Sequence, residues 1–75
     1  MYCNIFCRDS KTGGISTIYL DDSQTVCDLR NELNKIGYVG KYEISYAGKI
    51  IINCTQTLES LHISSCSIVH IIFYS

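Results

Sequence analysis

One stretch of this chain carries the period of a helix, while the segments around it carry the period of strands. Val26, Leu29, Leu33 and Ile36 recur at spacings of three, four and three, with Asp28, Arg30, Asn31, Glu32 and Lys35 between them. That spacing places one apolar stripe along one side of an amphipathic helix. Thr25 or Ser23 is available to cap its start, Asp28 suits the positive end of the helix dipole, Lys35 suits the negative end, and Gly37 is placed to stop it. A helix with a single stripe needs one apolar surface to cover, so the rest of the chain must supply a sheet face.

The flanking segments supply it. In "CNIFC", Cys3, Ile5 and Cys7 alternate with Asn4 and Phe6, as in a half-buried strand. A hairpin turn follows at "RDSKTGG", where Gly13 and Gly14 can take the positive φ that such turns use. "ISTIYL" then reads as a second strand, antiparallel to the first. Beyond the helix, residues 42–46 form a third strand, Ala47, Gly48 and Lys49 a turn, and the isoleucines after it a brief fourth strand. The polar "NCTQT" leads into "LESLHI", whose Leu58, Leu61 and Ile63 suit a short helical turn. The last strand, "SIVHIIFYS", is apolar on both faces, which is the mark of a central strand buried on both sides. Alternation puts Val69, Ile71 and Phe73 on the helix side and Ile68, His70 and Ile72 on the other. The fold class is α+β: one domain over residues 1–75, a mixed sheet of four to five strands packed on one helix.

Composition narrows the functional classes. A 75-residue chain holds one small core. With 47% hydrophobic residues, 17% charged residues and a net charge of -1, it has no basic stripe for nucleic acid or an anionic membrane. Its longest apolar runs fall far short of the ~20 residues of a membrane-spanning helix. The opening "MYCNIFCRDS" has no secretory pattern, so a cytoplasmic or nuclear protein is expected, not a secreted one. On that expectation the Asn53-Cys54-Thr55 glycosylation pattern carries no weight, and the five cysteines are expected to be free thiols. Cys3 and Cys7 point inward with Ile5, Cys27 lies beside the helix stripe, and Cys54 and Cys66 fall in loops open to oxidation or modification.

Catalysis and metal binding find little support. Structural zinc sites pair their ligands at short spacing, and the nearest pattern, Cys3 with Cys7, points inward without a second pair. No histidine is placed to activate a loop cysteine, and a domain this small leaves little room for a cleft. No cofactor, metal or catalytic residue is implied. The six tyrosines are spread across strands and loops and form no stacking stripe, and most of them suit sheet positions with a wet hydroxyl. Phe6 faces away from the core positions and, beside Tyr2, could seed a contact patch that includes weak self-association.

The order of elements and several short matches resemble ubiquitin and its β-grasp relatives over essentially the whole chain. "NIFC" resembles the family's first strand and "SQTVCDLRNEL" its helix. "YEISYAGKIII" is similar to its third strand and turn, "TLESLHI" to its buried turn, and "IVHIIF" to its last strand. "YAGK" followed at this distance by "TLxxLxI" is the most specific part. The resemblance implies the β-grasp fold and one of two functions. Conjugated members end in a tail closing with Gly-Gly, whereas the others bind partner proteins through the sheet surface. The sequence stops at Phe73, Tyr74 and Ser75 without those glycines, so as it stands it is expected not to be conjugatable. The alternative is a conjugated modifier whose C-terminal tail has been removed.

The resemblance also implies a surface. The family's receptor patch uses an isoleucine in the third strand, a histidine and a valine in the last, and a leucine in the first hairpin. These fall on Ser45, His70 and Ile72, with no match in the polar hairpin, while Glu43 stands where the family has arginine. Gly48 and Lys49 match the glycine and lysine of the turn. Loss of a central apolar anchor costs about 1 to 2 kcal/mol or more in a small interface, so ordinary ubiquitin receptors are expected to bind poorly. The expected protein-binding surface is Phe6, Ser45, Gly48, Lys49, His70 and Ile72, recognised by other proteins, ubiquitin-pathway components among them. Lys49, Cys54 and Cys66 are candidate modification sites.

Overall fold

The structure, a computed structural model, describes residues 1–73; Tyr74 and Ser75, which the sequence places in the last strand, lie outside the described residues. In chain order it contains β1 (Tyr2–Asp9), β2 (Ile15–Asp21), α1 (Val26–Lys35), β3 (Tyr42–Tyr46), β4 (Lys49–Ile50), a 3-10 turn (Glu59–Leu61) and β5 (Ile68–Phe73). The strands form one five-stranded sheet in the order β2-β1-β5-β3-β4. β5 runs parallel to β1 and antiparallel to β3, so the sheet is mixed and β5 is central.

Local chemistry explains the element boundaries. In the first hairpin, the Asp9 carbonyl accepts from the Gly13 amide and the Asp9 carboxylate accepts from the Lys11 amide. Of the two turn glycines only Gly13 takes a positive φ, +78°. At the helix start the cap is Thr25: its hydroxyl accepts from the Asp28 amide while the Asp28 carboxylate accepts from the Thr25 amide, a capping box. The helix stops at Gly37 (φ +113°), where the Tyr38 amide reaches back to the Leu33 carbonyl and the Gly37 amide to the Asn34 carbonyl.

The core lies between α1 and one sheet face. Ile5, Cys7, Val26, Leu29, Leu33, Ile44, Leu58, Val69 and Ile71 are fully buried there, with Cys3, Ile18, Leu20 and Ile63 close to it. Ile36 departs from the expected stripe. It sits at the helix C-cap with a non-helical backbone, and half of it is exposed. Its place at that end of the core is taken by Tyr38, whose ring stacks on Phe73 at 5.7 Å. Tyr42 departs from the expected wet tyrosines. It is buried, its hydroxyl donates to the Asn34 side-chain oxygen at 2.8 Å, and the Arg30 guanidinium lies 4.8 Å above its ring. Burial raises the Tyr42 phenol above its ordinary value, with Arg30 opposing.

The cysteines need a correction. Cys27 and Cys54 form a disulfide with their Cα atoms 4.8 Å apart, so of the five only Cys3, Cys7 and Cys66 are free. Cysteine number and spacing along the chain do not show that the segment after β4 crosses the helix start. There the Cys27 amide donates to the Cys54 carbonyl at 2.8 Å. Cys3 and Cys7 are buried as their alternation implies, and desolvation pushes the Cys7 thiol up to about 12. Asn53 makes a local turn, its side-chain oxygen accepting from the Thr55 amide and hydroxyl.

Candidate binding surface

The helix covers one face of the sheet and leaves the other open. Strand register decides which side chains share that open face, because directly paired residues point the same way. Phe6 pairs with Ile68 and Arg8 with His70 across β1 and β5. His70 pairs with Ser45, Ile72 with Glu43, and Ser45 with Ile50. On the far side Arg8 pairs with Ile15 and Phe6 with Thr17. One row therefore crosses all five strands as Ile15, Arg8, His70, Ser45 and Ile50, and a second runs through Thr17, Phe6 and Ile68.

This face is apolar and open to solvent. Ile15 is 61% exposed, Ile50 and Ile68 are each 49% exposed, and Phe6 and Ile72 are half-buried. β5 is thus central in the sheet yet buried on one face only, contrary to the reading of a strand apolar because both sides are covered. Parallel strands are covered on both faces when helices lie on both sides of the sheet, and the described residues form one α-helix.

The six residues expected to form the surface separate into two groups. Phe6, Ser45, His70 and Ile72 share the open face. Ser45 is buried, however, and forms the floor between His70 and Ile50. Gly48 and Lys49 lie at the β3–β4 corner, where Ala47 and Gly48 both take positive φ (52° and 80°). Lys49 begins β4 opposite Tyr46, one residue out of phase with the open row, and faces a neighbouring groove. That groove, about 680 Å³, lies between the corner and the 3-10 turn and is lined by Tyr46, Lys49, Ile50, Ile52, Leu61 and His62, among others.

Sequence reasoning left out Ile15, Ile50 and Ile68. Ile68 was on the correct face by its alternation with His70 and Ile72, a signal sufficient to include it. Ile15 and Ile50 required the register of β2 and β4. As for the modification sites, Lys49 and Cys66 are exposed, and Cys54 is half-buried in its disulfide. Among the described residues no group of three or more His, Cys, Asp or Glu side chains is gathered to hold a metal ion, and no helix is long and apolar enough to cross a membrane.

No protein-family model matches the sequence, and no curated protein matches it. Solved structures do match the fold. The solution structure of the UBL domain of yeast Ddi1 superposes with a TM-score of 0.85 at 23% identity, covering 95% of this chain and 87% of that one. The ubiquitin of Caldiarchaeum subterraneum gives 0.88 at 19% identity, covering 100% and 96%. A ubiquitin-like domain from an Arabidopsis thaliana protein gives 0.87 at 14% identity, covering 99% and 79%. The chain therefore has the ubiquitin-like β-grasp fold, a five-stranded mixed sheet around one helix.

Proposed function

We propose that this chain is a non-catalytic, ubiquitin-like protein-binding domain whose partners dock on the open sheet face. The observation that carries this reading is the cluster of Phe6, Ile68 and Ile72 around His70, flanked by Ile15 and Ile50, on a face that no element among the described residues covers. Exposed apolar clusters of this kind on a small domain mark interaction sites. Arg8 and His70 stand within the row and Glu43 beside Ile72, which gives the face polar groups to fix a partner's orientation. Ser45, small and sunk between its neighbours, leaves a shallow centre where the family resemblance implies an isoleucine. The partners are therefore expected to differ from ordinary ubiquitin receptors, within the ubiquitin pathway or outside it.

The test is a titration of a candidate ubiquitin-pathway protein into 15N-labelled chain. Amide shifts are expected to cluster at Phe6, Ser45, Ile68, His70 and Ile72, with Lys49 affected at the edge. Shifts confined to the outer side of α1, at Asn31, Glu32 and Lys35, would reject the surface. A thioester formed with a ubiquitin-activating enzyme by a longer native chain ending in Gly-Gly would replace this reading with that of a conjugated modifier.

A further inference from the structure

We infer that Cys27 and Cys54 are a redox-responsive thiol pair, opened by exchange with a dithiol, and that their state sets the order of residues 51–57 while the rest of the domain stays folded. The inference is independent of the open sheet face. It begins with where the two sulfurs sit. Cys27 is the second residue of α1, directly after the capped start, and Cys54 lies in the connection between β4 and the 3-10 turn. Both are half-buried, whereas Cys3 and Cys7 are shut inside the core with the Cys7 thiol pushed up to about 12. A thiol reagent from solvent therefore meets the pair without meeting the core cysteines. Cys66, the exposed free cysteine, is tied elsewhere, its amide donating to the Asn4 carbonyl in β1.

The helix gives the bond a direction. Cys27 sits in the first turn of the helix, where the dipole favours negative charge, so of the two sulfurs it is the one that leaves. Asp28, the acid nearest in that turn, has its carboxylate turned onto the Thr25 amide and hydroxyl. The thiolate of a dithiol attacks Cys54 Sγ, the Cys27–Cys54 bond breaks, and Cys27 leaves as a thiolate. The second thiol of the reagent then attacks the mixed disulfide, releases Cys54 as a thiolate and closes the reagent into its own disulfide. Two electrons pass from the dithiol to the protein, and the released thiolates exchange protons with water. A disulfide reagent drives the reverse sequence.

The junction does not depend on the sulfurs alone. The Cys27 amide donates to the Cys54 carbonyl at 2.8 Å, the Val26 amide to the Gln56 carbonyl at 3.1 Å, and the Leu58 amide to the Gln24 carbonyl at 2.9 Å; Thr25 and Thr57 form a β-bridge. Reduction thus removes the covalent tie from a seam otherwise held by main-chain bonds, so those bonds open more often and the segment loosens without the core coming apart. Ile51, Ile52, Asn53 and Gln56 of this segment line the groove beside Lys49, so the redox state acts on the wall of that groove.

The experiment equilibrates the whole chain in dithiothreitol buffers of graded poise, counts free thiols by alkylation and mass, and follows amide hydrogen exchange in parallel. Two further thiols are expected to appear in the folded state. The Val26 and Cys27 amides should lose at least tenfold in protection, with those of β1 and β5 unchanged. In a Cys27→Ser variant, oxidised glutathione should add to Cys54. Reduction no faster than global unfolding, loss of protection throughout the sheet, or unchanged protection at Val26 and Cys27 would each overturn the inference, as would a Cys27→Ser/Cys54→Ser protein that does not fold.

Discussion

Val69 and Ile71 on one side of β5, and Ile68 and Ile72 on the other, are the same kinds of side chain on the same strand, yet they have different fates. The first pair is fully buried beneath α1; Ile68 is 49% exposed and Ile72 half-buried. The difference lies in the partner available. Among the described residues one helix with one stripe covers one face, and the other keeps its apolar residues without a cover. On the inner face apolar side chains hold the domain together, and on the outer face the same chemistry is available to other molecules.

Charge substitutions break this comparison most sharply. Ile71→Asp places a carboxylate in the dry core, which costs several kcal/mol, and is expected to leave the chain unfolded by circular dichroism at 25 °C. Ile68→Asp, three residues earlier on the open face, should leave the far-ultraviolet spectrum unchanged and abolish partner binding. Equal effects of the two would mean that the outer face is also a core. Second in size is the seam at the helix start. Reducing Cys27–Cys54, whose sequence separation is 27, should lower stability by about 3 to 4 kcal/mol on the loop-closure account, read as a fall in thermal midpoint with a cooperative transition retained.

Alkaline pH probes the inner face through a buried thiol. The Cys7 thiol is raised from an ordinary 9.0 to about 12 by desolvation. Well below pH 9 both folded and unfolded chains keep this proton and the thiol takes nothing from stability. Above it the unfolded chain releases the proton first, so stability falls as pH rises toward 12. A Cys7→Ala variant should show a shallower alkaline decline in chemical denaturation. Smaller still, Tyr42→Phe removes the hydroxyl that donates to Asn34 and should cost about 1 kcal/mol. Ile68→Ser, on the open face, should fall within about 0.5 kcal/mol of the parent while weakening the partner titration, which separates the two faces at the level of a single side chain.

Much of the fold was legible because its signals are local. The Thr25–Asp28 cap, the stripe through Leu33, the stop at Gly37, the alternation of Cys3, Ile5 and Cys7, and Tyr42–Tyr46 as a strand all rest on residues within a few positions of one another. Ile36 was misread because the last turn of a helix keeps its period in sequence after its backbone has left the helix. The candidate surface was legible only in part. Phe6, His70 and Ile72 follow from alternation, but the burial of Ser45 depends on having His70 and Ile50 as cross-strand neighbours.

By itself, then, the sequence determined which elements form, in what order, and which side of each is apolar, since period, caps and turn residues act over a few bonds. The tertiary structure alone decided which of the two apolar faces of β5 is covered, that Lys49 looks into the groove instead of along the open row, and that Cys27 meets Cys54. Each of these depends on register and contact between segments far apart in the chain, and no local pattern encodes the distance between them.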